Sequence, residues 1–269
     1  MVRKQAQEDG WATIRDVLSS RPDGTEVGLS VYLFGSGQTL SIDGERDFAS
    51  ASTIKILILA ALARGFDEGR FSPEDKIAVR EDLKLEGSGV LNWLETGLRL
   101  SLHDHAWLMT AISDNTASNI CIETVGLDEI NALGNEIGVG KTHLGRMFMG
   151  ANAPPGPPKN RATADGLVAI LKAIENDTAA SPERCAWMRS CLDDQQHVDR
   201  LPRHLPEGIS YRGKTGTIQG IAHDCGALTG PGGRIALAVL TEGFRNPYDA
   251  DRLIGRIGAA AASLVAGND

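Results

Sequence analysis

The chain has 269 residues, of which 42% are apolar and 23% charged, with a formal net charge of −8 and a pI near 5.3. A chain of this length buries a substantial core in one or two domains, and its acidic balance excludes nucleic acid or an anionic membrane surface as the natural partner. No run approaches the roughly 18 to 20 consecutive apolar residues of a membrane span.

The opening, "MVRKQAQEDGWATIRDVL", is basic early but lacks an apolar core, so it does not read as a signal peptide. A cytoplasmic location is therefore expected, or a periplasmic or secreted one if an export signal has been removed. Trp11, Ile14, Val17 and Leu18 recur at helical spacing, which predicts an amphipathic helix over residues 5 to 19. "EVGLSVYLFGSGQTLSIDG" alternates and breaks at Gly35-Ser36-Gly37, a hairpin pattern.

Next comes "FASASTIKILILAALARG", residues 48 to 65, a run that reads as a buried helix with two polar intruders at its start, Ser52 and Lys55. One helical turn sets i beside i+3, so the hydroxyl and the amine are within reach of one another. A lysine withdrawn from water loses basicity and can then take the serine proton. The plain alternative is an N-cap serine followed by a lysine that snorkels to solvent.

From Ser52 to about residue 200 the pattern is short helices and polar loops. Within it, "EGSG" at 86 to 89 stands where it can line a crevice; Glu86 is either a substitute base or specificity group there, or a solvated loop glutamate. "HDH" at 103 to 105 follows Ser101 in a helix's first turn and, lacking a third ligand, reads as structural rather than metal-binding. "ISDNTASN" puts Ser113, Asp114 and Asn115 at the head of a helix, and "ANAPPGPPKN", residues 151 to 160, is a proline-bound surface loop. The four cysteines, Cys121, Cys185, Cys191 and Cys225, show neither a C-x-x-C pair nor metal-ligand spacing.

The end returns to strands, "GISYRGKTG", "IAHDCGALTG" and "RIALAVLTEG", before a helix from about Tyr248 to Val265. Strands at both ends predict an α+β fold: an antiparallel sheet with flanking N- and C-terminal helices, built from residues 1–50 and 201–269, and an inserted helical domain of residues 51–200. A crevice is expected where the two meet, with Ser52 at one edge and "RGKTGT" (Lys214, Thr215, Gly216, Thr217) at the other.

S-x-x-K, S-D-N and K-T-G are each common by themselves, but here they occur in that order, about 60 and then 100 residues apart. In this the chain resembles the class A β-lactamases and the wider penicillin-recognising serine hydrolases, for which the three motifs are an established signature. The resemblance extends over nearly the whole chain and implies the same α/β/α sandwich with a helical domain alongside. It implies an acyl-enzyme on Ser52, proton transfer through Lys55 and Ser113, and an oxyanion hole from the backbone N–H groups of Ser52 and Thr217. Asn115 would hold a substrate amide, Lys214 and Thr215 an anionic group, and Gly216 would leave room for substrate along the strand edge.

Two departures stand out. The loop that carries R-x-E-x-x-x-N in class A enzymes reads "RMFMGAN": Arg146 and Asn152 fit, but Phe148 occupies the place of the glutamate that activates the deacylating water, and Asn160 replaces the acid that pairs with the loop arginine. His223 falls where many relatives carry a carboxylate-binding arginine, and is either a switchable anion anchor or a strand histidine bonded to Asp224. The expectation is thus a monomeric serine hydrolase, free of metal and cofactor, acting on a small-molecule or peptide-like β-lactam or related amide with altered deacylation. A peptidase, amidase or esterase on an intracellular substrate, and a slow acylating penicillin sensor or trap, remain the alternatives.

Overall fold

The computed structural model describes residues 2–149 and 159–267. The opening helix α1 (Val2–Ser19) leads into the hairpin of β1 (Glu26–Leu33) and β2 (Thr39–Ile42), then β3 (Phe48–Ala49) and a 3-10 turn, Ala51–Ile54. The middle of the chain holds α2 (Lys55–Asp67), the short strands β4 (Lys76–Ala78) and β5 (Arg99–Ser101), and helices α3 (Leu102–Ala111), α4 (Asn115–Val125) and α5 (Leu127–Ile137). It continues through β6 (Arg161–Ala162), α6 (Ala164–Glu175) and α7 (Pro182–Asp193) to a second 3-10 turn, Leu201–His204. Strands β7 (Ser210–Ile218), β8 (Ile221–Gly230) and β9 (Gly233–Glu242) and helix α8 (Pro247–Ala262) close the chain.

Five strands form an antiparallel sheet in the order β2-β1-β9-β8-β7, so both chain ends supply it and β7 is an edge. β9 shows how one strand serves two layers. Ile235, Leu237 and Val239 face one core with Ile14 of α1 and Leu253 and Ile257 of α8, whereas Ala236, Ala238 and Leu240 face the other. This is the period of two expected of a strand buried on both faces. The alanines on the second face admit α6, which packs on β1, β8 and β9, so a helix of the 51–200 block sits directly on the sheet.

Helix α2 lies at the centre of the helical block, packed by α4, α5, α6 and α7. All positions from Ile54 to Ala63 are buried, which accounts for its apolar sequence and makes Lys55 a lysine without access to water. The 103–105 histidines are structural: Ser101 and Asp104 form a capping box at the head of α3, His105 Nε2 lies 3.3 Å from the Ile77 carbonyl, and Trp187 Nε1 donates to His103 Nδ1. The four cysteines are free and buried. No helix of the described residues is long and apolar enough to cross a membrane.

Candidate active site

Ser52 lies in the 3-10 turn that opens α2, half-buried at the base of a cleft of about 360 Å³. One wall is β7, through Thr217 and Ile218; a second is Ser88 and Asn115; a third is residues 146–149 with Lys159 and Asn160. The residue before Ser52, Ala51, has φ +46°, and Ser113 has φ +60°, a left-handed conformation that costs a non-glycine residue about 1 kcal/mol or more. Two of the four described non-glycine residues with positive φ thus fall in the segments that carry the S-x-x-K and S-D-N motifs.

Lys55 does not bond Ser52, although they are one turn apart. Its Nζ donates to the Ser113 carbonyl at 2.7 Å and to Asn115 Oδ1 at 3.0 Å, and lies 3.1 Å from Ser113 Oγ. The Ser52 hydroxyl has no hydrogen-bond partner among the described residues. The S-x-x-K and S-D-N motifs therefore meet through the amine. Burial, and then the charge of Lys214, hold the Lys55 pKa well below that of a free lysine. The ring of Phe148 covers Nζ, with its centroid at 4.6 Å. A cation–π contact in a dry site favours the charged amine by about 2 kcal/mol, less than the several kcal/mol that burying an ammonium can cost. The balance still favours the neutral amine.

Asp114 organises the S-D-N turn. It accepts from Ala117 N–H as the N-cap of α4 and from the N–H groups of Val90 and Leu91, pinning residues 86–91 beside the cleft. Gly89 (φ +103°) has no room for a side chain against Asp114. Glu86 contributes its backbone carbonyl, which accepts from Asn115 Nδ2 at 3.3 Å, while its side chain is exposed and does not line the cleft. Ser88 occupies the lip expected of Glu86.

On the opposite side Lys214 is fully buried, donates to the Thr215 carbonyl at 2.9 Å, and is lowered by burial to about 7. Gly216 serves a closer purpose than room for substrate. A side chain there would press on Ala51, the Ser52 backbone nitrogen and Thr53, so glycine lets β7 approach the turn that carries Ser52. Ser52 and Thr217 thus flank one cleft.

His223 is not an anion anchor. It is buried; its Nε2 lies 2.9 Å from the Ala49 carbonyl and its Nδ1 accepts from Thr241 N–H at 3.0 Å. Burial lowers its pKa to about 4, so it is neutral at physiological pH. Nor does it bond Asp224, which instead accepts from the Tyr211 hydroxyl and Leu201 N–H. The cation behind this strand is Arg200, which the sequence reading missed. Its guanidinium pairs with Asp251 at 2.7 Å, donates to the Gly216 and His223 carbonyls, and reaches Thr217 Oγ1 at 2.7 Å. Nothing local in "HVDRLP" marks that role, because its four partners come from three distant segments.

The third wall is held by amides rather than acids. Asn119 on α4 clasps Phe148 twice, Nδ2 donating to its carbonyl and Oδ1 accepting from its N–H. Asn160 Oδ1 accepts from the backbone N–H of Arg146 at 2.9 Å, so the position where an acid was expected still ties the loop. Asn152 lies outside the described residues.

With this geometry, comparison with known proteins is direct. A family model described as the β-lactamase enzyme family matches residues 11–265. A β-lactamase of Sphaerobacter thermophilus superposes with a TM-score of 0.87 at 36% identity, covering 94% of this chain and 95% of its own. A variant of PBP-A solved as an acyl-enzyme complex with penicillin G superposes at 0.83 and 25% identity, covering 95% of each chain. A β-lactamase of Streptomyces albus G is 27% identical over 263 residues, 91% of this chain and 80% of the relative. This chain belongs to the β-lactamase enzyme family, in the class A form marked by S-x-x-K, S-D-N and K-T-G.

Proposed function

We propose that the protein is a serine hydrolase that opens a β-lactam or a related amide through an acyl-enzyme on Ser52, and that it releases the acyl group slowly. Ser52 Oγ attacks the carbonyl carbon while its proton passes to Lys55, directly or through Ser113 Oγ, which already stands 3.1 Å from the amine. The N–H groups of Ser52 and Thr217 hold the oxyanion. The C–N bond then breaks, Ser113 delivers a proton to the leaving nitrogen, and the acyl group remains as an ester on Ser52. Asn115 holds the substrate's amide, and Lys214 with Thr215 its anionic group.

The contact of Phe148 with Lys55 carries the second half of the reading. A phenyl ring accepts no proton, and no carboxylate lines the cleft among the described residues, so a deacylating water lacks a carboxylate base. The same contact favours the slow acylating, penicillin-binding alternative over rapid turnover. Intact mass after mixing with penicillin G and removing excess drug should show one adduct that persists. Ser52→Ala should abolish it. Rapid multiple turnover, or undiminished labelling of Ser52→Ala, would refute the proposal.

A further inference from the structure

The wall formed by residues 146–149 and 159–160 brings two cations, Arg146 and Lys159, to a cleft with no acidic lining residue among those described. Neither side chain makes an ion pair or hydrogen bond among the described residues. Their neighbour Arg161, by contrast, is held by Asp47 at 2.8 Å. Asn160 ties only the backbone of the half-buried Arg146, and its guanidinium has no partner among the described residues. In a chain with net charge −8, two cations beside Ser52 that have no partner among the described residues are available to an anion.

We propose that Arg146 and Lys159 form a subsite for an anionic group on the acyl part of the substrate, so that the enzyme prefers amides whose acyl side chain carries a carboxylate. The inference rests on Ser52 being the nucleophile of this cleft. The side is set by Phe148, which adjoins Arg146 in the loop and lies over Lys55, the amine bonded to Asn115. Asn115 is the group placed to hold the acylamide, whereas Lys214 and Thr215 hold the other end of the substrate from β7. A carboxylate extending past Asn115 toward residues 146 and 159 replaces water around both cations, and the guanidinium offers it a two-pronged hydrogen bond.

The test uses two penicillins that differ only at the end of the acyl side chain, 4-carboxyphenylacetyl and 4-carbamoylphenylacetyl. Calorimetric binding to Ser52→Ala should favour the carboxylate about 10-fold, the scale of a part-exposed charge pair. The preference should shrink with added salt, since such a pair is screened. Arg146→Gln with Lys159→Gln should bring the ratio close to 1. Asn160→Asp, which keeps both cations but offers Arg146 a carboxylate of its own, should lower the ratio as well. Equal binding of the two compounds, binding of neither, or a preference that survives the double substitution overturns the subsite. Failure of the carbamoyl compound to acylate the unsubstituted protein would refute the Ser52 reading separately, because the binding preference is measured without acylation.

Discussion

The two main walls of the cleft are made from different kinds of bond. On the strand side, Lys214, Arg200, His223 and Asp224 are all buried, and each is tied to backbone or to another charge. On the loop side, Phe148 and Arg146 are held by asparagine amides through their backbones, and their side chains are left to the cleft. The groups proposed for acylation belong to the start of α2 and the S-D-N segment, and the strand wall carries those proposed to bind the substrate anion; the loop wall is where a deacylating carboxylate is absent. Attack and release are separable steps, so one wall can be retained while the other is rebuilt around a different requirement.

The largest effect that would break this contrast is on the acylation side. Lys55→Ala should slow acylation by roughly 10²- to 10⁴-fold, the span of a positioned proton acceptor, as read from the rate of adduct formation by intact mass. A wild-type rate in this variant would move the base elsewhere. On the loop side, Phe148→Glu should speed release of the penicilloyl group by about 10²-fold, because the carboxylate would stand where the ring now covers Lys55. The half-life of the adduct after drug removal measures this, and an unchanged half-life would show that the loop lacks room for the water as well as a base.

The dryness of the strand wall can be sharpened by acid. His223 is pushed down to about 4 by burial, so the stability its neutral form contributes is complete above its ordinary value of 6.5 and is lost as pH falls from there through 4. Asp224 beside it is pushed up to about 6, also by burial, and gains stability over a similar range, so the two nearly cancel. His223→Gln should unmask this: between pH 7 and pH 4 it should gain up to roughly 3 kcal/mol relative to the parent protein in urea unfolding. A constant difference across that range would place His223 in contact with water. Smallest is the pH response of Lys214. With its amine at about 7 in the empty site, affinity for a substrate anion should fall as pH rises past 7, by about tenfold once the charge is lost. Neutral esters should show little of this dependence. Lys214→Ala should weaken anionic substrates and abolish the pH response; equal losses for neutral esters would refute the anion-binding role.

Much of this was legible in the sequence because it is local. The alternation of β1, the apolar run of α2, the glycine turn at 35 to 37 and the order of the three motifs are all visible within short windows. Ser52, Asn115 and Thr217 line the cleft, while Lys55, Ser113, Lys214 and Thr215 are buried. The failures are long-range. Counting along β8 puts His223 near an arginine position but does not reveal which face of an edge pair is covered, and here Ala49 covers it. Glu86 was read from loop composition, whereas Asp114, 28 positions away in the chain, orients that segment so that Ser88 faces inward.

By itself, then, the sequence determined the elements, their order and the three motifs that nominate Ser52 and its lysines, since periodicity and motif spacing act over one or two turns of chain. Only the tertiary structure decided which partner each polar group takes. It turned Lys55 toward Ser113 instead of Ser52, brought Arg200 behind β7, and freed Arg146 by giving Asn160 to its backbone. Buried hydrogen-bonding groups must be satisfied by whatever the fold brings near them. Those partners lie up to dozens of residues distant, beyond the reach of any local pattern.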